Sequence, residues 1–102
     1  KYVTVGGAFA SDVHGKNHHK DGVFSDHVSE LTLLDSNSEA RVLKPEDDLF
    51  HQTAGGMGLT GLILDVTFRL KPIETSFIAN EAIRAKNVDV LFSLFEKHKD
   101  VP

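Results

Sequence analysis

The stretch Gly56-Met-Gly-Leu-Thr-Gly61, continued by Leu62-Ile-Leu-Asp-Val-Thr-Phe-Arg-Leu70, decides the fold of this chain. Its glycines match the pattern G-x-G-x-x-G of dinucleotide-binding folds, which requires a strand before the glycines and a helix after them. Here the order is reversed, because helix-like sequence precedes the glycines and a strand-like segment follows them. The Rossmann fold is therefore disfavoured, and the lack of a following Gly-Lys-Ser/Thr excludes a Walker loop. We interpret the glycines as a tight backbone turn that a large ligand can approach.

Residues 62–70 form the clearest predicted strand. Apolar side chains at positions 62, 64, 66, 68 and 70 are predicted to share one face, because side chains alternate between the faces of a strand. On the other face Ile63 is the one apolar residue, and it lies nearest the glycine turn. Pro72 ends the strand.

The segment before the glycine turn predicts a hairpin and a short helix. Residues 27–34 and 40–44 are predicted as two strands, joined by a turn in which Asn37 adopts the left-handed conformation. Pro45 and the three acidic residues after it predict the first turn of a short helix that ends at Gly55-Gly56. These elements predict an α+β fold with a mainly antiparallel sheet.

The composition changes from Gly-rich to Gly-free at residues 72–75, which makes this region a candidate domain boundary. Beyond it we expect a strand near residues 76–79 and then a helix with Asn87 as its N-cap. The apolar side chains with helical spacing are predicted to form the buried stripe of that helix: Val88, Leu91, Phe92 and Phe95. Lys97, His98 and Lys99 suit its negative C-terminal end.

The composition is typical of a globular domain, with 102 residues, 40% of them hydrophobic and 25% charged. A net charge of −4 and the lack of a basic run give no support to nucleic-acid binding. No apolar stretch approaches the ~20 residues of a membrane helix, and without cysteine the compartment stays open between cytoplasm and periplasm. Because the chain begins at Lys1 without a Met or a signal segment, we expect it to be a piece of a longer polypeptide.

The run Val3-Thr-Val-Gly-Gly-Ala-Phe-Ala-Ser-Asp-Val-His-Gly-Lys-Asn-His-His19 holds the most informative chemistry. Residues 2–5 are predicted as a short strand ended by Gly6-Gly7, and residues 8–27 as a long loop without a sustained period. The glycines and small side chains leave bare backbone that a bulky ligand can approach, and histidines follow with donors, acceptors and flat rings. This order suits one wall around an extended cofactor.

Two alternatives concern the histidines of that loop. His14 and His18 are four residues apart, but such spacing forms a chelate only on a helix, which Gly15 and Gly22 disfavour, so we predict no metal site. His14 is either a hydrogen-bonded loop residue or a ligand-facing one.

The charged residues of the loop also have two interpretations. Lys16 is either solvated or a fixed cation facing an anionic substrate or a reduced flavin. We expect Asp12 and Asp26 to tie down the loop through backbone N–H bonds rather than to act in acid–base chemistry. The neighbours Asp26 and His27 are predicted to be structural.

These residues resemble a known family. The strings Val3-Thr-Val-Gly-Gly-Ala, His14-Gly15, Gly22-x-Phe24-x-Asp26-His27-Val28 and Gly55-Gly-Met-Gly-Leu-Thr-Gly-Leu-Ile63 are similar to the second half of the flavin-binding domain in FAD-linked oxidoreductases of the vanillyl-alcohol-oxidase (VAO/PCMH) type. Aldonolactone oxidases share the outline, and the resemblance covers about residues 2–80. It implies that residues 1–72 are a partial FAD-binding domain and residues 73–102 the beginning of a substrate (cap) domain.

The resemblance also implies roles for individual residues toward FAD. Backbone N–H groups from Thr4, Val5, Gly6 and Gly7 would meet its pyrophosphate and ribityl region. Ser11, Asp12, Val13 and His14 would pass beside the isoalloxazine, with His14 near the reacting edge and Lys16 on the substrate side. Ile63 would meet the adenine end through its backbone.

The activity implied is oxidation of a sugar or sugar-derivative CH–OH group by hydride transfer to flavin N5, with a reductase subunit as a further partner. An aldonolactone oxidase that uses oxygen is the alternative enzyme, and a non-catalytic binding module is the alternative from another class. The family's first phosphate-binding loop and its substrate-domain catalytic residues have no counterpart in this chain. We therefore expect the 102 residues alone to be inactive and to bind FAD weakly or not at all.

Overall fold

An antiparallel sheet of three strands organises the first part of the chain in the computed structural model, which describes residues 2–101. Strands β1 (Val28–Leu34), β2 (Ala40–Leu43) and β3 (Leu62–Phe68) lie in the order β2-β1-β3, so β1 is central. The predicted α+β class with an antiparallel sheet is confirmed. The chain divides into two units, Lys1–Pro72 and Ile73–Pro102.

The core of the first unit lies between this sheet and two short helices, α1 (Val5–Ala10) and α3 (Asp48–Thr53). Phe9 of α1 and Phe50 of α3 are fully buried and meet edge to face, with their ring centroids 5.1 Å apart. Apolar residues of the hairpin complete the buried set: Val28, Leu31, Leu33 and Leu43. Burial of these side chains is the main favourable contribution to the stability of the unit.

The predicted strand at residues 2–5 is wrong, because this segment leads into α1. Thr4 is the N-cap of α1, and its Oγ1 accepts a hydrogen bond from the backbone N–H of Gly7 at 3.0 Å. Glycine has low helix propensity, but the burial of Phe9 against the sheet outweighs that cost.

Residues 8–27 are more regular than the predicted loop. Besides the end of α1 they contain α2 (His18–Asp21) and a 3₁₀ helix at Phe24–His27. Asn17, the N-cap residue of α2, donates from Nδ2 to Asp21 Oδ2 at 2.5 Å, so the ends of this single turn are joined by side chains. Such local bonds stabilise a short helical turn that the pattern of hydrophobic residues does not predict.

The predicted hairpin is confirmed, with Leu31 opposite Leu43 and Leu34 opposite Ala40. Its left-handed residue, however, is Ser38 with a φ of 59°, whereas Asn37 was expected. Asp35 explains the difference, since its Oδ1 accepts the backbone N–H groups of Asn37 at 2.9 Å and of Glu39 at 3.0 Å. The helix after the hairpin also begins later than expected, at Asp48 rather than at Pro45.

Strand β3 departs from the predicted alternation at a β-bulge. Leu33 pairs with Ile63 and Leu31 with Val66, so two residues of β3 lie opposite the single Thr32. Ile63 and Val66 therefore both pack against the core, and the assignment of Ile63 to a polar face is wrong. The strand also ends at Phe68, two residues before the predicted end.

The second unit contains α4 (Val88–His98) as its one regular element in the part that the structure describes. Asn87 is confirmed as its N-cap, because Asn87 Oδ1 accepts the N–H of Val90 at 2.9 Å. The strand expected near residues 76–79 is absent from the described structure. The apolar stripe of α4 is exposed rather than buried, since no second regular element within residues 73–101 covers it.

Acidification is expected to destabilise the first unit below about pH 4. The backbone N–H groups of Glu39 and Asn37 donate to Asp35 and lower the pKa of its carboxyl group. A carboxyl group whose pKa is lowered on folding stabilises the fold above its unfolded-state pKa, and this contribution is lost as the pH falls through the folded-state pKa. Urea unfolding at pH 7, 5, 4 and 3 should show the decline. The free energy of unfolding of Asp35→Asn should fall less steeply with pH than that of the wild type. Equal falls in the two proteins would contradict the stabilising role of the Asp35 carboxylate.

Candidate functional site

A cleft of about 240 Å³ lies where α1 meets the glycine turn that precedes β3. We call it the glycine cleft, and its lining residues are mostly small and all uncharged: Thr4, Gly6, Gly7, Ala10, Gly58, Gly61, Leu62 and Ile63. The N–H of Met57 donates to the carbonyl of Ala10 at 2.9 Å and holds the turn against the end of α1. Four of the eight lining residues are glycines, which bring bare backbone to the walls of the cleft.

Positive φ angles favour glycine at two of these positions, Gly58 and Gly61, and at Gly61 a side chain would also clash. Gly58 has a φ of +81°, and Gly61 has a φ of +150°, a region that side chains rarely allow. A Cβ on Gly61 would lie 2.4 Å from the carbonyl oxygen of Leu34. A Cβ on Gly6 would make ordinary contacts with Ile63 at 3.6 to 3.8 Å, so Gly6 keeps room in the cleft rather than avoiding a clash.

A second cleft, of about 340 Å³, lies beside His14, and we call it the His14 cleft. Phe24 and Phe68 form part of its lining, with their ring centroids 5.5 Å apart. Arg69 and Lys71, which follow β3, bring two cations to the same cleft. This arrangement places a polar histidine and positive charge beside an aromatic surface.

The loop that carries His14 is tied down as predicted. Asp12 Oδ1 accepts the backbone N–H of Ser25 at 2.9 Å, and Asp12 Oδ2 accepts the hydroxyl of the same residue at 3.0 Å. Asp26 Oδ2 accepts the N–H of Val23 at 3.0 Å. His27 contacts the carbonyl of Asp21 through Nε2 at 2.7 Å, which gives this histidine a structural contact. The predicted anchoring roles of Asp12 and Asp26 are confirmed.

His14 and His18 lie together, with ring centroids 4.5 Å apart. Their Nδ1 atoms lie 3.1 and 3.2 Å from the carbonyl oxygen of Gly15. Across residues 2–101, no group of three or more His, Cys, Asp or Glu side chains is arranged to hold a metal ion. The pair is thus a packed imidazole surface beside the His14 cleft.

The structure distributes the predicted site residues over two places. Thr4, Gly6, Gly7 and Ile63 line the glycine cleft. Val13 and His14 line the His14 cleft. Four other candidates lie outside the lining of both clefts: Val5, Ser11, Asp12 and Lys16.

Two of the predicted cofactor contacts meet an obstacle in the structure. The N–H of Gly7, expected to face a pyrophosphate, already donates to Thr4 Oγ1. Both carboxylate oxygens of Asp12 likewise accept bonds from Ser25. The carbonyl oxygen of Gly7 accepts the N–H of Ser11, and the N–H of Asp12 donates to the carbonyl of Phe9, so neither residue keeps a free backbone N–H for a cofactor.

Sequence reasoning did not assign several lining residues. Gly58 and Gly61 had a signal, because their glycine motif predicts a turn open to a ligand. No sequence pattern identifies Arg69 and Lys71 as lining residues, because their position beside His14 depends on pairing between segments distant in sequence.

No helix within residues 2–101 has both the length and the apolar character that crossing a membrane requires.

No protein-family model matches the chain. The decaprenylphosphoryl-beta-D-ribose oxidase of Mycolicibacterium smegmatis is 50% identical over 80 residues, which cover 76% of this chain and 17% of that protein. An uncharacterized protein from the mprA 5′ region of Streptomyces coelicolor is 41% identical over 91 residues, covering 89% of this chain and 25% of that protein. A putative D-arabinono-1,4-lactone oxidase of Neurospora crassa is 32% identical over 71 residues, which cover 68% of this chain and 13% of that protein.

The chain thus spans a quarter or less of the length of the curated relatives it matches. Two of the three are named as oxidases, one of a phosphoryl ribose and one of a lactone. Within the family that the sequence resembles, the string Asp12-Val-His-Gly-Lys-Asn-His-His19 indicates decaprenylphosphoryl-ribose 2′-oxidase. The predicted resemblance is confirmed: over most of its length the chain is a relative of decaprenylphosphoryl-ribose oxidase and, more distantly, of a lactone oxidase.

Proposed function

We propose that this chain forms one wall of the FAD site in an FAD-dependent oxidoreductase that oxidises a CH–OH group of a sugar or sugar derivative. The observation that carries the proposal is the glycine cleft, where small residues from α1 and from the turn before β3 meet. The 50% identity to a protein named as a phosphoryl-ribose oxidase supports it. In this proposal residues 1–72 belong to the FAD-binding domain of the VAO/PCMH type and residues 73–102 begin the substrate domain.

The residues present fit an extended polar cofactor. The lining of the glycine cleft carries no charge that would repel a pyrophosphate. A Cβ on Gly58 would meet no atom within 4 Å, so the wall is open on that side. Glycines allow a ligand to approach backbone groups closely, which is how many proteins bind phosphate groups.

Within this proposal the chain's residues bind and orient. Gly6 and Gly58 leave room for the cofactor, and Ile63 packs behind Gly6 against the core. His14 would face the flavin with a hydrogen-bonding ring, and Lys16, although outside the lining of both clefts, would bring a positive charge to the substrate side. When bound, FAD would supply the acceptor for the hydride removed from the substrate.

The aldonolactone oxidase is the second candidate activity, and the 32% identity to a putative arabinonolactone oxidase supports it. The names of both relatives refer to sugar-derived molecules, which supports a sugar-derived substrate in this proposal. A reductase partner subunit remains a prediction from the resemblance. The non-catalytic module is disfavoured, because two relatives are named as oxidases.

We expect a leucine at position 6 to weaken FAD binding by at least about tenfold in the full-length protein, or about 1.4 kcal/mol. The new side chain would occupy the glycine cleft, whereas leucine is a good helix former and should preserve α1. Flavin absorbance of the purified Gly6→Leu protein and titration with FAD measure the loss.

Ala82→Leu is the matched control, since it places the same side chain at an exposed position. Wild-type FAD affinity in Gly6→Leu would contradict the glycine cleft as a cofactor wall.

The 102 residues expressed alone are expected to be colourless. A tightly held yellow cofactor in that short chain would show that it holds more than one wall of the site.

A further inference from the structure

We propose that Lys71 and Asp21 are positioning residues, whose ion pair fixes the segment carrying His14 relative to the sheet. This inference rests on the proposed function, in which His14 faces the flavin or the substrate. The pair joins positions 50 residues apart, and Lys71 Nζ lies 2.8 Å from Asp21 Oδ2. It connects the chain just after β3 to the last residue of α2.

Asp21 is the junction of this connection. The same oxygen that accepts Lys71 also accepts the Nδ2 of Asn17 at 2.5 Å. Asn17 lies at the start of α2 and Asp21 at its end. One carboxylate therefore closes the helical turn and attaches it to the end of the sheet.

α2 in turn positions His14. Its first residue, His18, packs its ring against that of His14, and both rings contact the carbonyl of Gly15 through Nδ1. A displacement of α2 would carry His18 with it and remove the surface against which His14 packs. The path from Lys71 to His14 thus consists of contacts between neighbouring groups at each step.

Other bonds keep the loop folded when the ion pair is absent. Arg69 donates from Nη2 to the carbonyl of Asp26 at 2.8 Å, and His27 contacts the carbonyl of Asp21. The side chain of Lys71 is 64% exposed, and exposed ion pairs contribute little to stability. The pair should therefore affect where the His14 ring lies much more than whether the protein folds.

The chain offers a matched control in the pair formed by Arg41 and Asp35. Arg41 Nε lies 2.9 Å from Asp35 Oδ2 in the hairpin, and neither residue lines the glycine cleft or the His14 cleft. Breaking this pair with Arg41→Gln removes an ion pair of similar length, in which the arginine side chain is 52% exposed, without touching the His14 segment. Lys71→Arg keeps the charge and a donor, so it tests rescue.

The experiment uses the full-length protein with ¹³C-labelled histidine, and His14→Gln assigns the His14 ring signal. Without FAD, Lys71→Gln and Asp21→Asn should shift the His14 and His18 ring signals, whereas Lys71→Arg and Arg41→Gln should leave them unchanged. With FAD bound, Lys71→Gln should shift the flavin absorbance bands in the direction that His14→Gln does. The melting temperatures of all these variants should stay close to that of the wild type.

Wild-type histidine signals in Lys71→Gln would overturn the proposal, as would equal shifts in Arg41→Gln. Shifted rings with an unchanged flavin spectrum would also overturn it, because His14 would then not be positioned toward the cofactor. A wild-type protein that binds no FAD would refute the proposed function instead, and the histidine signals would still decide whether the pair positions His14.

Discussion

Gly61→Ala is expected to lower the free energy of unfolding by about 3 kcal/mol or more, enough to unfold a marginally stable domain. The φ of Gly61 is +150°, which a residue with a side chain adopts only under strain. Its new Cβ would lie 2.4 Å from the carbonyl oxygen of Leu34, and a backbone atom of the central strand cannot move away at small cost. The first residues of β3 and the glycine cleft would be displaced together.

Gly58→Ala separates the two causes, because Gly58 has a φ of +81° but open space around a Cβ. Gly58→Ala should lower the free energy of unfolding only by the cost of a side chain at positive φ, about 1 kcal/mol. Urea unfolding of the two variants and the wild type measures the difference. If Gly61→Ala were no less stable than Gly58→Ala, the steric contact with Leu34 would not limit this position.

In strand β3 the alternation of apolar and polar residues does not predict correctly which face of the sheet each side chain occupies. The pattern places Ile63 and Val66 on opposite faces, and a regular strand would obey it. The bulge opposite Thr32 inserts one residue, and Thr32 Oγ1 donates to Asp65 Oδ1 at 2.9 Å beside it. The pairing partner β1 fixes this register, so β3's own sequence does not contain the information.

Helix α1 shows a similar limit for local propensity. Gly6-Gly7 predicts the end of a strand, and no helix was expected there. The helix forms because Phe9 reaches the core and Thr4 caps the first turn. By contrast, the N-cap Asn87 was predictable, since its bond to Val90 is local and depends on nothing outside the helix.

The candidate site was predictable in its parts but not in its assembly. The glycines and His14 were identified by the chemistry their residue types allow. That Thr4 and Gly6 share a cleft with Gly58 depends on α1 packing beside β3, a contact between distant segments. The Lys71 contact with Asp21 likewise exists only because the end of β3 lies beside α2.

Phe9→Ala is expected to lower the free energy of unfolding by about 3 to 5 kcal/mol, the usual loss for a buried phenylalanine. Phe9 is fully buried and packs edge to face on Phe50. Such aromatic pairs contribute about 0.5 to 1.5 kcal/mol beyond the area they bury. Unfolding by urea, followed by circular dichroism, measures the change.

Phe50→Ala should cost a similar amount, and the double variant should lose less than the sum of the two, because the ring pair is removed only once. Phe77→Ala is the control, since its side chain is 86% exposed and its loss should stay within about 0.5 kcal/mol. A loss below about 1.5 kcal/mol for Phe9→Ala would contradict the burial of its ring. Because Phe9 holds α1 on the core, Phe9→Ala in the full-length protein should also weaken FAD binding at the glycine cleft, even where the protein remains folded.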